Sequence, residues 1–189
     1  MKCSIVDIHT HRPTGKALEP SFAGIHPWQA ETRRIEEIVP RFGEVDLVGE
    51  IGLDYAGTVG REAQLRIFRE QLDWAERLDK PVVLHCVKAF EAVMRELAPH
   101  ALRAVIFHGF IGSPQQAAEA VKKGYYLSFG ERTFRSPRTV EALRRTPVEN
   151  LFAETDESDV PIEEIYRRIA QAKDLDPEPV SYTHLRAHE

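Results

Sequence analysis

Short apolar runs rich in β-branched residues recur down this chain, and helical segments separate most of them. The runs are CSIVDI (3–8), SFAGI (21–25), DLVGEIGL (46–53), PVVLHC (81–86), AVIFHG (104–109), YYLSFG (125–130) and LFAETD (151–156). Between them, REAQLRIFREQLDWAERL (61–78) puts Leu65, Phe68, Leu72, Ala75 and Leu78 on one helical face. FEAVMREL, PQQAAEAVKK, RTVEALRR and IEEIYRRIAQA read as helices too. Ser113-Pro114 and Ser136-Pro137 each supply an N-cap hydroxyl and a first-turn proline. Gly124 follows AVKK as a C-terminal stop. Strand alternating with helix predicts a parallel sheet with crossover helices.

An open doubly wound sheet and a closed barrel share that alternation. The polar residues separate them. They fall at the carboxyl end of nearly every apolar run: Asp7/His9/His11, His26, Glu50/Asp54, His85, His108, Ser128 and Glu154/Asp156. A barrel gathers all its strand ends at one mouth, whereas an open sheet gathers only two at a switch point. The expected fold class is therefore α/β, a TIM-type (β/α) barrel with about seven clear strands, incomplete or distorted against the usual eight. Residues 1–176 read as one such domain.

Composition narrows the partners. Of the 189 residues, 42% are hydrophobic and 29% charged, and the net charge is −5. Nothing global attracts a polyanion, so a nucleic-acid role needs local chemistry. Cys3 and Cys86 each sit in an apolar run and read as buried free thiols of a reducing compartment rather than a disulfide. No secretory leader and no membrane span is legible. A cytoplasmic monomer is expected.

Alternation along the first run puts Asp7, His9 and His11 on one face. An HxH pair alone is more often two surface or core histidines, and His85 alone is more often a hydrogen-bonded core residue. The recurrence of His, Glu and Asp at successive run ends outweighs those readings. Burying several imidazoles and carboxylates together is costly unless they pair or bind a cation. Imidazole nitrogens with carboxylate oxygens suit Zn²⁺, Mn²⁺ or Mg²⁺, and there are too many for one tetrahedral ion. Two divalent ions with a bridging carboxylate fit better.

DIHTH, GIHPW, GEIGLDY, PVVLHC, FHGFIG and ETD, in that order, resemble the TatD family of metal-dependent deoxyribonucleases, within the amidohydrolase-like barrels. The resemblance covers about residues 4–170. It implies hydrolysis of DNA phosphodiesters, as an exonuclease acting on single-stranded ends. It implies His9 and His11 as ligands of one ion, Glu50 as the bridge, and His85 and His108 on the second ion. Asp156 completes the set and orients or deprotonates the attacking water, so that Asp156 and Glu50 are the catalytic carboxylates. His26 matches a position facing the mouth and reads as substrate-side rather than a ligand, or equally as a satisfied core histidine.

Substrate contacts are less marked. The loop GFIGSP, with Gly109 and Gly112, opens a helix whose amides could receive a phosphate. Arg132 and Arg135 follow the run ending at Gly130 and could reach the mouth; Arg144 and Arg145 read as a solvated helix face. Trp28, beside His26, could stack on a base or pack. No dense basic stripe supports tight sequence-specific binding.

Two departures from the family stand out. RPTGKALEP (12–20) is compact where longer relatives insert structure. The final PEPVSYTHLRAHE (177–189) has little apolar periodicity and reads as an atypical tail, foreign to the rest. Two other functions compete: a C–N hydrolase built on the same barrel, and a catalytically weak metal-binding partner in a complex. The first often relies on a lysine between two metals, and Lys88, the nearest candidate, does not match that position.

Overall fold

The structure, a computed structural model, describes residues 5–175. It resolves into two compact units, residues 20–107 and residues 5–19 together with 108–175.

The first of these carries four strands, β1 (Phe22–Ala23), β2 (Leu47–Asp54), β3 (Val82–Val87) and β4 (Val105–Phe107), paired in that order and all parallel. The connections hold α1 (Val39–Phe42), α2 (Arg61–Arg77) and α3 (Phe90–Leu97). Ile51, Leu53, Phe68, Leu72, Val82, Val83 and Leu84 are buried to 1% exposure or less and form the core between strands and helices. The β2–β3 register shifts between Val48 and Ile51, where β2 has one residue more than β3. Gly49 sits in that irregularity because a Cβ there would come within 2.8 Å of the Val83 Cβ. Gly52, at φ +138°, lies against the His85 backbone where no side chain fits. The alternation along β2 is thus irregular between Val48 and Ile51, the stretch that carries Glu50.

Helix α2 buries Gln64, Ile67, Phe68, Gln71, Leu72 and Ala75. This corrects the expected face, since Leu65 is only half-buried and Leu78 is exposed. Polar Gln64 and Gln71 are inside because each carboxamide pairs with main chain. Gln71 accepts from the Ile25 N–H at 2.6 Å and donates to the Ile25 carbonyl at 3.1 Å. Gln64 accepts from the Asp54 N–H at 2.7 Å and donates to the Asp54 carbonyl at 2.9 Å. The side chain of Gln71 therefore replaces a strand partner, and β1 ends after two residues.

The second unit contains α4 (Pro114–Lys122), β5 (Tyr126–Phe129), α5 (Pro137–Arg145), β6 (Leu151–Ala153) and α6 (Ile162–Lys173), with β5 and β6 parallel. The punctuation read from sequence holds. Ser113 forms a capping box with Gln116, Ser136 accepts from the Thr139 N–H, and Gly124 stands at φ +79° just beyond α4. Lys173 donates to the carbonyls of Leu143, Arg144 and Thr146, closing the end of α5. The first apolar run differs from expectation. Among the described residues it forms isolated parallel bridges, Val6 to Leu18 and Thr10 to Asp156, rather than a strand. Bends at Ile8 and His9 interrupt the ladder. The described strands are accordingly six, and the expected tail at 177–189 lies outside the described residues.

Candidate metal centre

In the unit of residues 5–19 and 108–175, main-chain bonds bring the first donors together. The His11 N–H donates to the Asp156 carbonyl at 3.0 Å, and the Asp156 N–H donates to the His9 carbonyl at 3.0 Å. Asp156 holds a left-handed φ of +54°, a conformation aspartate tolerates better than most residues. Its Oδ1 lies 3.9 Å from His9 Nε2 and 3.7 Å from His11 Nε2. His9 is fully buried while His11 is open to solvent, so the trio has a closed side and an accessible side. All three offer a ligand atom within 4.8 Å of the others.

His108, just past β4, and Glu154, just past β6, join Asp156 in a second grouping within 4.8 Å. The His108 ring centroid is 4.5 Å from that of His9, and its Nδ1 is 3.5 Å from Glu154 Oε1. Ser128 Oγ donates to Glu154 Oε2 at 2.5 Å. Burial opposes charge on Glu154, but His108, His9 and the Ser128 hydroxyl outweigh it and hold the carboxyl below its usual range. The run LFAETD puts Glu154 two positions before Asp156, a visible sign of its place that a ligand set ending in Asp156 alone passes over.

Asp7 does not follow His9 and His11. The bends that break the first run turn it to Thr155, whose N–H donates to Oδ1 at 2.9 Å and whose hydroxyl lies 2.6 Å from Oδ2. Burial raises the Asp7 carboxyl to about 6, against the pull of those two hydrogen bonds.

The unit of residues 20–107 holds its own donor set. Glu50 Oε2 is 3.5 Å from His85 Nδ1 and 3.8 Å from His26 Nε2. His26, Glu50 and His85 each offer a ligand atom within 4.8 Å. The His26 and His85 rings meet edge to face at 4.4 Å. His26, expected on the substrate side, thus also has a ring nitrogen within reach of the Glu50 and His85 donor atoms. Its Nδ1 accepts from the Trp28 N–H, which orients the ring. Asp54, at the end of β2, is 3.2 Å from His85 Nε2 through Oδ2. Burial disfavours the Asp54 anion, but bonds from the Trp28 indole, the Ala56 N–H and His85 outweigh burial and lower its pKa. Cys86, next to His85, is a free thiol pushed up to about 12 by burial.

The remaining predicted residues divide. Trp28 is 62% exposed and beside His26, with ring centroids 4.6 Å apart. Gly109 borders Glu154, where a Cβ would lie 3.2 Å from Oε1, and Gly112 packs on the Phe110 ring. Two first-turn amides of the loop before α4 are already engaged, since Ser113 N–H donates to Gln116 Oε1 and Gln116 N–H to Ser113 Oγ. Arg132 is exposed, and Arg135 is ion-paired with Glu131.

Nitrogen and carboxylate-oxygen donors at these separations are the set that divalent first-row cations take. The donor chemistry therefore fits a metal.

The family model described as TatD related DNase matches residues 15–186. The chain belongs to the TatD-related DNase family. The matched stretch begins after His9 and His11, so those two stand on their geometry. The uncharacterized metal-dependent hydrolase YjjV of Escherichia coli K12 is 34% identical over 157 residues, covering 76% of this chain and 61% of that protein. The 3'-5' ssDNA/RNA exonuclease TatD of Citrobacter koseri is 30% identical over 181 residues, covering 89% of this chain and 65% of the relative. This TatD-family chain thus spans under two thirds of the length of both. The crystal structure of Escherichia coli YjjV matches with a TM-score of 0.79 at 24% identity, over 92% of this chain and 76% of that one. That likeness concerns fold, the α/β TIM-type barrel class that strand–helix alternation predicts. No helix among the described residues is long and apolar enough to cross a membrane.

Proposed function

We propose that this TatD-family protein is a metal-dependent hydrolase of DNA phosphodiesters, acting as an exonuclease on single-stranded ends with two divalent ions. The ligands in this reading are His9, His11, Glu50, His85, His108 and Asp156. His26 and Glu154 are added to them because each sits within a donor trio. The observation that carries the proposal is the meeting of Asp156 with His9 and His11, donors from opposite ends of the described sequence held by paired main-chain bonds.

Divalent ions bound there would lower the pKa of water from about 15.7 to about 7 and offset charge on the phosphate oxygens. The residues do the rest. Asp156, partly exposed, accepts the proton of the attacking water and, with His11, faces the accessible side. His9 and Glu154, both buried, keep water from the closed side and fix their neighbours. Trp28 offers an exposed ring on which a terminal base stacks, and Arg132 supplies a positive charge for the backbone. The competing C–N hydrolase reading asks for a lysine among the donors, and Lys88 is exposed beyond β3.

The test is metal content by mass spectrometry together with Mg²⁺- or Mn²⁺-dependent digestion of end-labelled single-stranded DNA. The wild type is expected to degrade DNA from an end, and His9→Ala and Asp156→Ala to lose both metal and activity. Equal degradation by wild type and variants would identify a contaminating nuclease, and a pure wild type that neither binds metal nor degrades the DNA would refute the proposal.

A further inference from the structure

Asp54 is surrounded by donors. Its Oδ1 accepts from the Ala56 N–H at 2.9 Å and from the Gly57 N–H at 3.2 Å. Its Oδ2 accepts from the Trp28 indole N–H at 2.8 Å and lies 3.2 Å from His85 Nε2. Indole is a donor only, and an ionised carboxylate is an acceptor only. With Oδ2 accepting from Trp28, His85 can satisfy it only as Nε2–H.

That assignment has a consequence on the far side of the ring. With the proton on Nε2, neutral His85 turns a lone pair at Nδ1 toward Glu50 Oε2, 3.5 Å away. A nitrogen lone pair facing a carboxylate oxygen is an arrangement that a cation stabilises. A carboxylate behind a histidine is a general device for fixing a ligand's tautomer and raising its basicity. From this geometry we infer that Asp54, anchored by Trp28 and by the turn at Ala56 and Gly57, is a positioning residue that sets His85 to present Nδ1 as a metal donor. The inference rests on the proposed role of His85 as a ligand.

Asparagine cannot replace Asp54 neutrally. Four donors converge on its two oxygens, and a carboxamide offers one oxygen and one NH₂. If the oxygen serves the turn amides, the NH₂ meets the Trp28 N–H and forces His85 to accept at Nε2 and carry its proton on Nδ1. If the amide flips, two main-chain N–H groups lose their acceptor.

The experiment uses the full chain with ¹⁵N-labelled histidine, at pH 8, with and without zinc alone, in the wild type, Asp54→Asn and Trp28→Phe. Long-range ¹H–¹⁵N spectra read the His85 tautomer, calorimetry reads zinc affinity, and near-ultraviolet circular dichroism checks folding. The wild type should show Nε2–H on His85. Asp54→Asn should shift His85 to Nδ1–H and weaken zinc binding about 10- to 100-fold. Trp28→Phe keeps Asp54 and should retain the Nε2–H form. Nδ1–H in the wild type, or unchanged tautomer and zinc affinity in Asp54→Asn, overturns the inference. If Asp54→Asn does not fold, the wild-type and Trp28→Phe tautomers still decide it. Absence of zinc binding in the wild type would instead refute the proposed metal role itself.

Discussion

Asp156 and His9 are joined twice. The Asp156 N–H donates to the His9 carbonyl at 3.0 Å, and the Asp156 carboxylate lies 3.9 Å from His9 Nε2. The main-chain bond fixes the distance between the two Cα atoms, so the side chains meet without relying on flexible loops. Replacing Asp156 with Asn keeps this frame and removes the proton acceptor. The expected result is a loss of kcat on single-stranded DNA of about 10²- to 10⁴-fold with little change in KM. Steady-state kinetics on a labelled oligonucleotide reads it.

Glu154 is 1% exposed and tied to the Ser128 hydroxyl. Glu154→Ala strands that hydroxyl and removes the charge opposite His108, so it should destabilise the fold by about 3 kcal/mol. Urea denaturation of metal-free protein measures this, and a midpoint equal to wild type would contradict the pairing.

The two glutamines of α2 position functional strand ends through main chain. Gln71→Leu leaves the Ile25 N–H and carbonyl without their side-chain partner, next to His26. Gln64→Leu does the same to Asp54. Each should cost about 2 kcal/mol. Gln115→Leu, on the exposed face of α4, should cost nearly nothing in the same melts.

Asp7 gives stability a pH slope. Its folded carboxyl titrates at about 6 against an ordinary 3.8, so the folded state binds the proton more tightly. The contribution is full below about 3.8, falls as pH rises, and is lost above about 6, leaving roughly 3 kcal/mol of strain at neutral pH. Asp54 and Glu154 act in the opposite sense: their lowered carboxyls stabilise above the usual carboxylate range and lose that as pH falls. Asp7→Asn retains a polar contact to Thr155 without the charge. Relative to wild type it should gain stability steadily between pH 4 and 6 and stay level above, in urea midpoints of metal-free protein.

Much of this was legible in the residues. The strand ends carrying Glu50, His85, His108 and Asp156 were visible as polar residues closing apolar runs, and both Ser-Pro caps lie where the spacing put them. Three things were not. Periodicity cannot foresee that Gln64 and Gln71 are buried, because their worth lies in main-chain partners far along the sequence. Strict alternation put Asp7 beside His9, but alternation ends where the chain bends, and nothing in SIVDIHTH marks that bend. The closeness of His26 to Glu50, 3.8 Å apart, is the third, because a lone histidine carries no sign of its neighbour in the sequence.

The central claim is that histidines and acids from distant runs hold divalent cations. The most direct measurement is anomalous diffraction from a manganese- or zinc-soaked crystal of the full chain. The account predicts an anomalous peak about 2.0–2.2 Å from nitrogen of His9 and His11 and from an oxygen of Asp156. A well-ordered soaked crystal with no peak there, and those side chains turned apart, would contradict it.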